Sequence, residues 1–145
     1  LKTGPSALPF GSISPGATNQ TPTTDSILLN NTGNQAITDG NIDINATDLL
    51  GETDNGKGLR SGNFSVSNLT GTVACNITNG ASRMNTSSGN FADVIGTSLS
   101  AGNFTINNNA TGQERLYFCL LTAGSELSAQ QYSTSANGVW TIRIA

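Results

Sequence analysis

The chain contains no histidine, and that single absence removes a large part of enzyme chemistry. Without an imidazole to take and return the proton, neither a Ser-His-Asp nor a Cys-His arrangement can be built. Cysteine is almost as scarce. Cys75 and Cys119 stand alone, and two thiolates with no histidine are too few for a structural metal centre. Charge is thin as well: Asp, Glu, Lys and Arg make up 10% of the 145 residues, against about 25% in ordinary soluble domains. Six Lys and Arg against nine Asp and Glu leave a net charge of -3, and no basic run exists to neutralise phosphates, so nucleic acid is not an expected partner. Long apolar runs are missing too. The longest, such as Tyr117 to Leu121, falls far short of the roughly 18 residues of a membrane-spanning helix.

What fills the chain instead is Asn, Ser, Thr and Gly, which punctuate short segments whose apolar residues recur at every second position. No stretch sustains the 3.6-residue apolar period of a helix, so the chain reads as all-β. Strands are expected near residues 7–13, 25–31, 36–46, 62–67, 71–78, 99–107, 114–122 and 138–145. Seven or eight strands over this length suit a two-sheet antiparallel sandwich with immunoglobulin-like or Greek-key connections. "RLYFCLLT" is apolar on both faces, as a central covered strand must be. Residues 14–145 read as one sandwich domain, and residues 1–13 as an N-terminal extension with alternating apolar positions, a candidate donor strand.

Nine Asn-x-Ser/Thr triplets occur, at Asn19, Asn30, Asn45, Asn63, Asn68, Asn76, Asn85, Asn103 and Asn109. Eighteen Asn in a chain that is about a quarter Ser and Thr would produce roughly four by chance, so an excess of N-glycan acceptors stands beside a compositional bias. A glycan needs the solvent face of a strand. Alternation places Asn45, Asn63, Asn76 and Asn103 opposite their apolar neighbours, as glycosylation requires and as any polar Asn would also show. The same alternation puts Cys75 on the inward face of its expected strand and Cys119 on the core strand. A disulfide across the sandwich is the natural reading, with two buried reduced thiols as the alternative. Such a bridge implies an oxidising compartment, and so do glycan acceptors.

The acidic residues are scattered over turns and outward positions, with no pair in an apolar setting of the kind a glycosidase uses. "TDGNIDINATDLLGETDNG" gathers Asp39, Asp43 and Asp48, a weak calcium candidate that lacks the glycine and closing glutamate of an EF-hand loop. A solvated strand face and turn is the preferred explanation. No cofactor and no enzymatic activity are expected.

"GSISPGATN", "ILLNNTGNQAI", "DINATDL", "LYFCLL" and the closing "QYS" and "GVWTIRIA" together resemble the immunoglobulin-like β-sandwich domains of archaeal cell-surface and pilin-like filament proteins. Pro15, Gly16, Asn31 to Asn34 and Trp140 carry the likeness. Antibody domains place their tryptophan between the two cysteines, whereas Trp140 follows both. The resemblance implies an extracellular, cell-surface location and a structural subunit of a glycosylated filament or surface layer. In such an assembly the chain's partners are further copies of itself and N-linked glycans. Strand complementation would join neighbours through Leu8, Phe10 and Ile13 near one end or Trp140, Ile142 and Ile144 at the other. The alternative is a secreted carbohydrate-binding or adhesion module, for which Tyr132 in "SAQQYSTSANG" is the one aromatic placed to stack on a sugar.

Overall fold

The run that is apolar on both faces forms the axis of the fold. In the computed structural model, which describes residues 2–84, 90–102 and 112–145, strand β10 (Gln113–Thr122) is the longest element. Before it come β1 (Lys2–Gly4), β2 (Thr18–Gln20), β3 (Ser26–Asn30), β4 (Ile42–Asn45), β5 (Leu49–Gly51), β6 (Gly58–Leu59), β7 (Phe64–Ser67), a helical turn α1 (Gly71–Ala74), β8 (Ser82–Arg83) and β9 (Ala92–Asp93). After it come β11 (Tyr132–Ser133) and β12 (Thr141–Ile144). Strand β10 pairs with β3 and then β2 along one edge and with β7 along the other, inside a sheet of order β1-β3-β10-β7-β8. Two smaller sheets run β12-β4-β9 and β11-β5-β6.

The all-β reading holds, and every strand pairing is antiparallel. The subdivision is finer than seven or eight strands in two sheets: the described residues form twelve strands in three sheets. Turn chemistry breaks the longer expected strands. The 36–46 segment narrows to β4, because Gly40 turns with φ of 82° and Ile37 is left with a single bridge to Leu99. From residue 103 onward, the 99–107 segment lies outside the described residues.

Alternation along β10 buries Leu116, Phe118 and Leu120 completely, opposite Ile27, Val66 and Phe64. These join Leu29, Ile42, Ile44, Val94 and Leu99 in one core that draws on both the larger sheet and the β12-β4-β9 sheet. Each such buried side chain contributes roughly 2 kcal/mol. Trp140, just before β12, closes the core with its ring edge-on to Phe64 at 4.9 Å and tilted against Phe118 at 6.1 Å.

The opposite face of the larger sheet holds the main surprise for the sequence pattern. Residues 71–78 alternate like a strand, yet they form α1 followed by turns. The Thr70 side chain caps the helical turn by accepting from the Val73 amide at 3.3 Å, and Gly80 at φ of 95° reverses the chain. A good N-cap and an Asn-x-x-Asn-Gly turn outweigh the period-two pattern. Ile77, expected inside, is consequently 41% exposed. Cys75 nevertheless meets Cys119, and the two form a disulfide that ties α1 to the middle of β10.

Candidate subunit-joint site

The N-terminal residues were expected to extend as a strand over 7–13. Instead β1 occupies residues 2–4, pairing with Leu28, Leu29 and Asn30 of β3 and so covering that edge of the larger sheet. Beyond it the chain runs irregularly, since Pro5 and Pro9 lack the amide donors a ladder needs. Residues 5–13 are joined to the rest of the described residues by two hydrogen bonds, both accepted by the Pro9 carbonyl, from the Thr23 amide at 2.7 Å and its hydroxyl at 3.0 Å. Side chains hold the segment in place. Leu8, Phe10 and Ile13 pack half-buried against the core, with the Phe10 ring edge-on to Phe64 at 5.4 Å.

The fit is loose on both flanks. One cleft of about 370 Å³ lies between the segment and the walls formed by Ile27, Ile44, Phe118 and Trp140. A second, of about 830 Å³, separates it from Leu49, Leu59, Leu127 and Tyr132. From Gly16 onward the chain is pinned to the body, with the Gly16 amide donating to the Ala123 carbonyl at 3.0 Å and the Ala123 amide to the Ala17 carbonyl at 2.8 Å.

The C-terminal strand is held differently. All four residues of β12 are in register with β4, Arg143 binds the Asp43 carboxylate through Nε at 3.1 Å and Nη2 at 3.0 Å, and the Trp140 indole donates to the Thr47 carbonyl at 2.9 Å. Trp140 and Ile142 face the core as expected. Ile144 does not: it is 46% exposed, and the neighbouring Val139 is 75% exposed. Strand β12 is also a sheet edge, paired with β4 on one side only among the described residues.

The other expected sites separate. Asp39, Asp43 and Asp48 do not converge. The Asp39 carboxylate accepts from the Gly40 and Gly96 amides, Asp43 pairs with Arg143, and Asp48 accepts from the Ser61 amide and hydroxyl and from Arg60. Each carboxylate is already used by the fold, and the described residues contain no cluster of metal-ligating side chains. Strand pairing does, however, set Asp93 opposite Asp43, a closeness that spacing along the chain could not reveal. Burial, then the charges of Asp39 and Asp43, push the Asp93 carboxyl above its usual range. Tyr132 is half-buried, and its hydroxyl donates to the Ser128 carbonyl and accepts from the Ser128 amide, both at 3.0 Å. Its ring therefore packs against the core and is no open platform.

Among the glycan candidates, Asn19 and Asn76 are exposed and Asn63 and Asn68 are half-buried. Asn30 and Asn45 are buried at 6% and 8% exposure. Asn45 was expected on an outward face, but β4 lies between two strands and both of its faces are covered, so its amide donates to the Asn90 carbonyl. Asn85, Asn103 and Asn109 lie outside the described residues. Asn31 is the polar residue that sequence reasoning passed over as a site. Its amide donates to the Gln35 and Ser100 carbonyls at 2.7 and 2.8 Å, and its oxygen accepts from Gly33, so it locks the 31–35 turn to the chain around residue 100. The Asn-Thr-Gly-Asn run was its only trace in the sequence.

Comparison with protein-family models, curated proteins and solved structures found no match. Among the described residues no helix is long and apolar enough to cross a membrane.

Proposed function

We propose that the chain is a structural subunit of an extracellular, glycosylated filament or surface layer, in which neighbours are joined by strand complementation. On this reading the body is an immunoglobulin-like sandwich. The support is that Phe64 and Phe118 of the larger sheet share one core with Ile42, Ile44 and Trp140 on the β12-β4-β9 side. The observation that carries the proposal is how residues 2–13 are held: an edge ladder of three residues, two further hydrogen bonds, and apolar side chains in a seat flanked by two clefts. An element held this way can leave its own body and dock identically in a second copy, since the seat is already complementary to it. Its departure uncovers Leu28–Asn30 of β3 as a free edge, which a neighbour's β1 would re-pair.

The N-terminal segment is therefore the donated one, and the disulfide between Cys75 and Cys119 fits life in an oxidising compartment. The test is electron microscopy with mass measurement of the secreted chain beside a variant lacking residues 1–13. Regular polymers from the full chain and monomers from the truncated one are expected. Monomers from both at every concentration, or equal polymers from both, would overturn the proposal.

A further inference from the structure

The nine triplets are equivalent in sequence, and the six that fall in the described residues are very unequal in the fold. From their geometry we infer that, among the triplets in the described residues, Asn76 is the preferred N-glycan acceptor of the folded chain, while Asn30, Asn45 and Asn68 are closed to modification. The inference rests on the reading of a glycosylated secreted protein and adds to it the site.

Attachment forms a bond from the Asn amide nitrogen to the anomeric carbon of a sugar carried on a polyprenyl phosphate. The bond from that carbon to the phosphate breaks, the lipid phosphate leaves, and the nitrogen gives up one proton to a base of the transferring enzyme. The nitrogen must therefore be reachable and unengaged, and the Ser or Thr two residues on must be reachable with it.

Asn76 meets each requirement. It is exposed at the end of α1, and Ile77, Thr78 and Asn79 around it are exposed as well. Its Oδ1 accepts from the Thr78 amide at 3.2 Å and from the Thr78 hydroxyl at 2.8 Å. These bonds fix the carboxamide by its oxygen, while its nitrogen makes no hydrogen bond among the described residues. Asn and Thr of the triplet are thus presented together on a turn, which an enzyme can grip more readily than a strand locked in a ladder.

The closed sites fail for separate reasons. Asn45 is buried and its nitrogen is spent on the Asn90 carbonyl. Asn30 is buried in β3, paired on both sides. The Asn68 nitrogen donates to the Gly96 carbonyl at 2.7 Å, which ties the end of β7 to the 95–97 turn. Asn19 is exposed but sits inside β2 with φ of 55°, a backbone fixed by pairing with β10, so it ranks behind Asn76.

The position also suits an assembly. Cys75 anchors this turn to Cys119, on the face of β10 opposite Phe118 and Leu120, whereas the N-terminal seat lies on the Phe118 side. A glycan on Asn76 leaves the seat clear.

The test uses the full, unmodified, disulfide-bonded chain, a purified oligosaccharyltransferase that accepts the plain triplet, and a polyprenyl-linked sugar donor, with site occupancy read by peptide mass mapping. The same reaction is run on the reduced, unfolded chain. Expected is at least tenfold higher occupancy at Asn76 than at Asn30, Asn45 or Asn68 in the folded chain, with that preference lost on unfolding. Asn76→Gln should remove the main product among the six described triplets, and the exposed position leaves the variant folded. Modification of folded Asn45 or Asn30, or of Asn76 only after unfolding, overturns the assignment while leaving a glycosylated protein. No product from either form overturns the glycoprotein reading with it.

Discussion

The two ends of this chain both reach the core through aromatic contacts with Phe64, yet they are secured by different physics. At the C-terminal end, Trp140 and β12 combine a ladder, an ion pair and an indole hydrogen bond. At the N-terminal end, β1 makes a three-residue edge ladder, but beyond it Leu8, Phe10 and Ile13 are held by apolar contact, and among the described residues the backbone from Pro5 to Ile13 makes two hydrogen bonds to the body, through one carbonyl. Apolar contact is non-directional and is satisfied equally by any copy of the same surface. A ladder in a shared sheet is not released so easily, because its removal strands the partner's amides and carbonyls. The end that carries less hydrogen bonding is therefore the one able to change hosts. The other end remains as part of the receiving body.

The largest effects should come from cutting each end in turn. Removal of residues 139–145 takes away Trp140 and leaves β4 paired only with the two residues of β9, and the truncated chain is expected to remain unfolded by circular dichroism and proteolysis. Removal of residues 1–13 should leave a folded but weakened body, losing on the order of 4 kcal/mol of apolar burial. A synthetic peptide of residues 1–13 should restore its thermal stability when added in trans. A peptide without effect would mean that the seat is not an exchangeable site.

Point substitutions at Phe64's two aromatic neighbours sharpen the same contrast. Trp140→Ala should cost roughly 3 kcal/mol by urea unfolding, since it opens a cavity and leaves the Thr47 carbonyl without its donor. Phe10→Ala should cost about 2 kcal/mol, because the ring is half-exposed and its surroundings are already loose. The second variant should weaken polymer formation far more than its stability loss implies; the first should lower both together.

How much of this contrast was written in the sequence depends on which force decided each element. Strands β3, β7 and β12 follow from short period-two runs between turn residues, and β10 from a run that is apolar on both faces, because core burial rewards both patterns directly. The pairing of Cys75 with Cys119 was also legible, though for a reason that proved different. Cys75 reaches β10 from a capped helical turn rather than from a facing strand. Residues 71–78 and 7–13 misled because alternation is a necessary mark of a strand and not a sufficient one: a capping threonine overrode it in one case and two prolines in the other. The burial of Asn45 and the closeness of Asp43 to Asp93 could not be read at all. Both are set by which strands flank β4, and sheet order is a property of the whole fold.

That last juxtaposition distinguishes the two ends by pH. Asp93, on β9, stands opposite Asp43 of β4, with Asp39 near and with Arg143 of β12 committed to the Asp43 carboxylate and lying over the Phe91 ring at 3.8 Å. Burial and the two carboxylates raise its pKa above the ordinary 3.8. A raised folded pKa means that the folded chain holds this proton more tightly than the unfolded chain. Asp93 therefore costs nothing below about pH 3.8, where it is protonated in both states, and destabilises increasingly as pH rises from there through its folded value. Asp93→Asn should match the parent in urea midpoint at the acid end and exceed it modestly at neutral pH. The widening gap reports strain confined to the sheet that holds β12. Asp93 lines neither cleft, and residues 3–13 carry no titratable side chain. Binding of the 1–13 peptide to the truncated body should accordingly change no more with pH in the Asp93→Asn background than in the parent. A pH-dependent difference between the two backgrounds would show that the ends are coupled through β4, and that the N-terminal segment is less separable than its hydrogen bonds indicate.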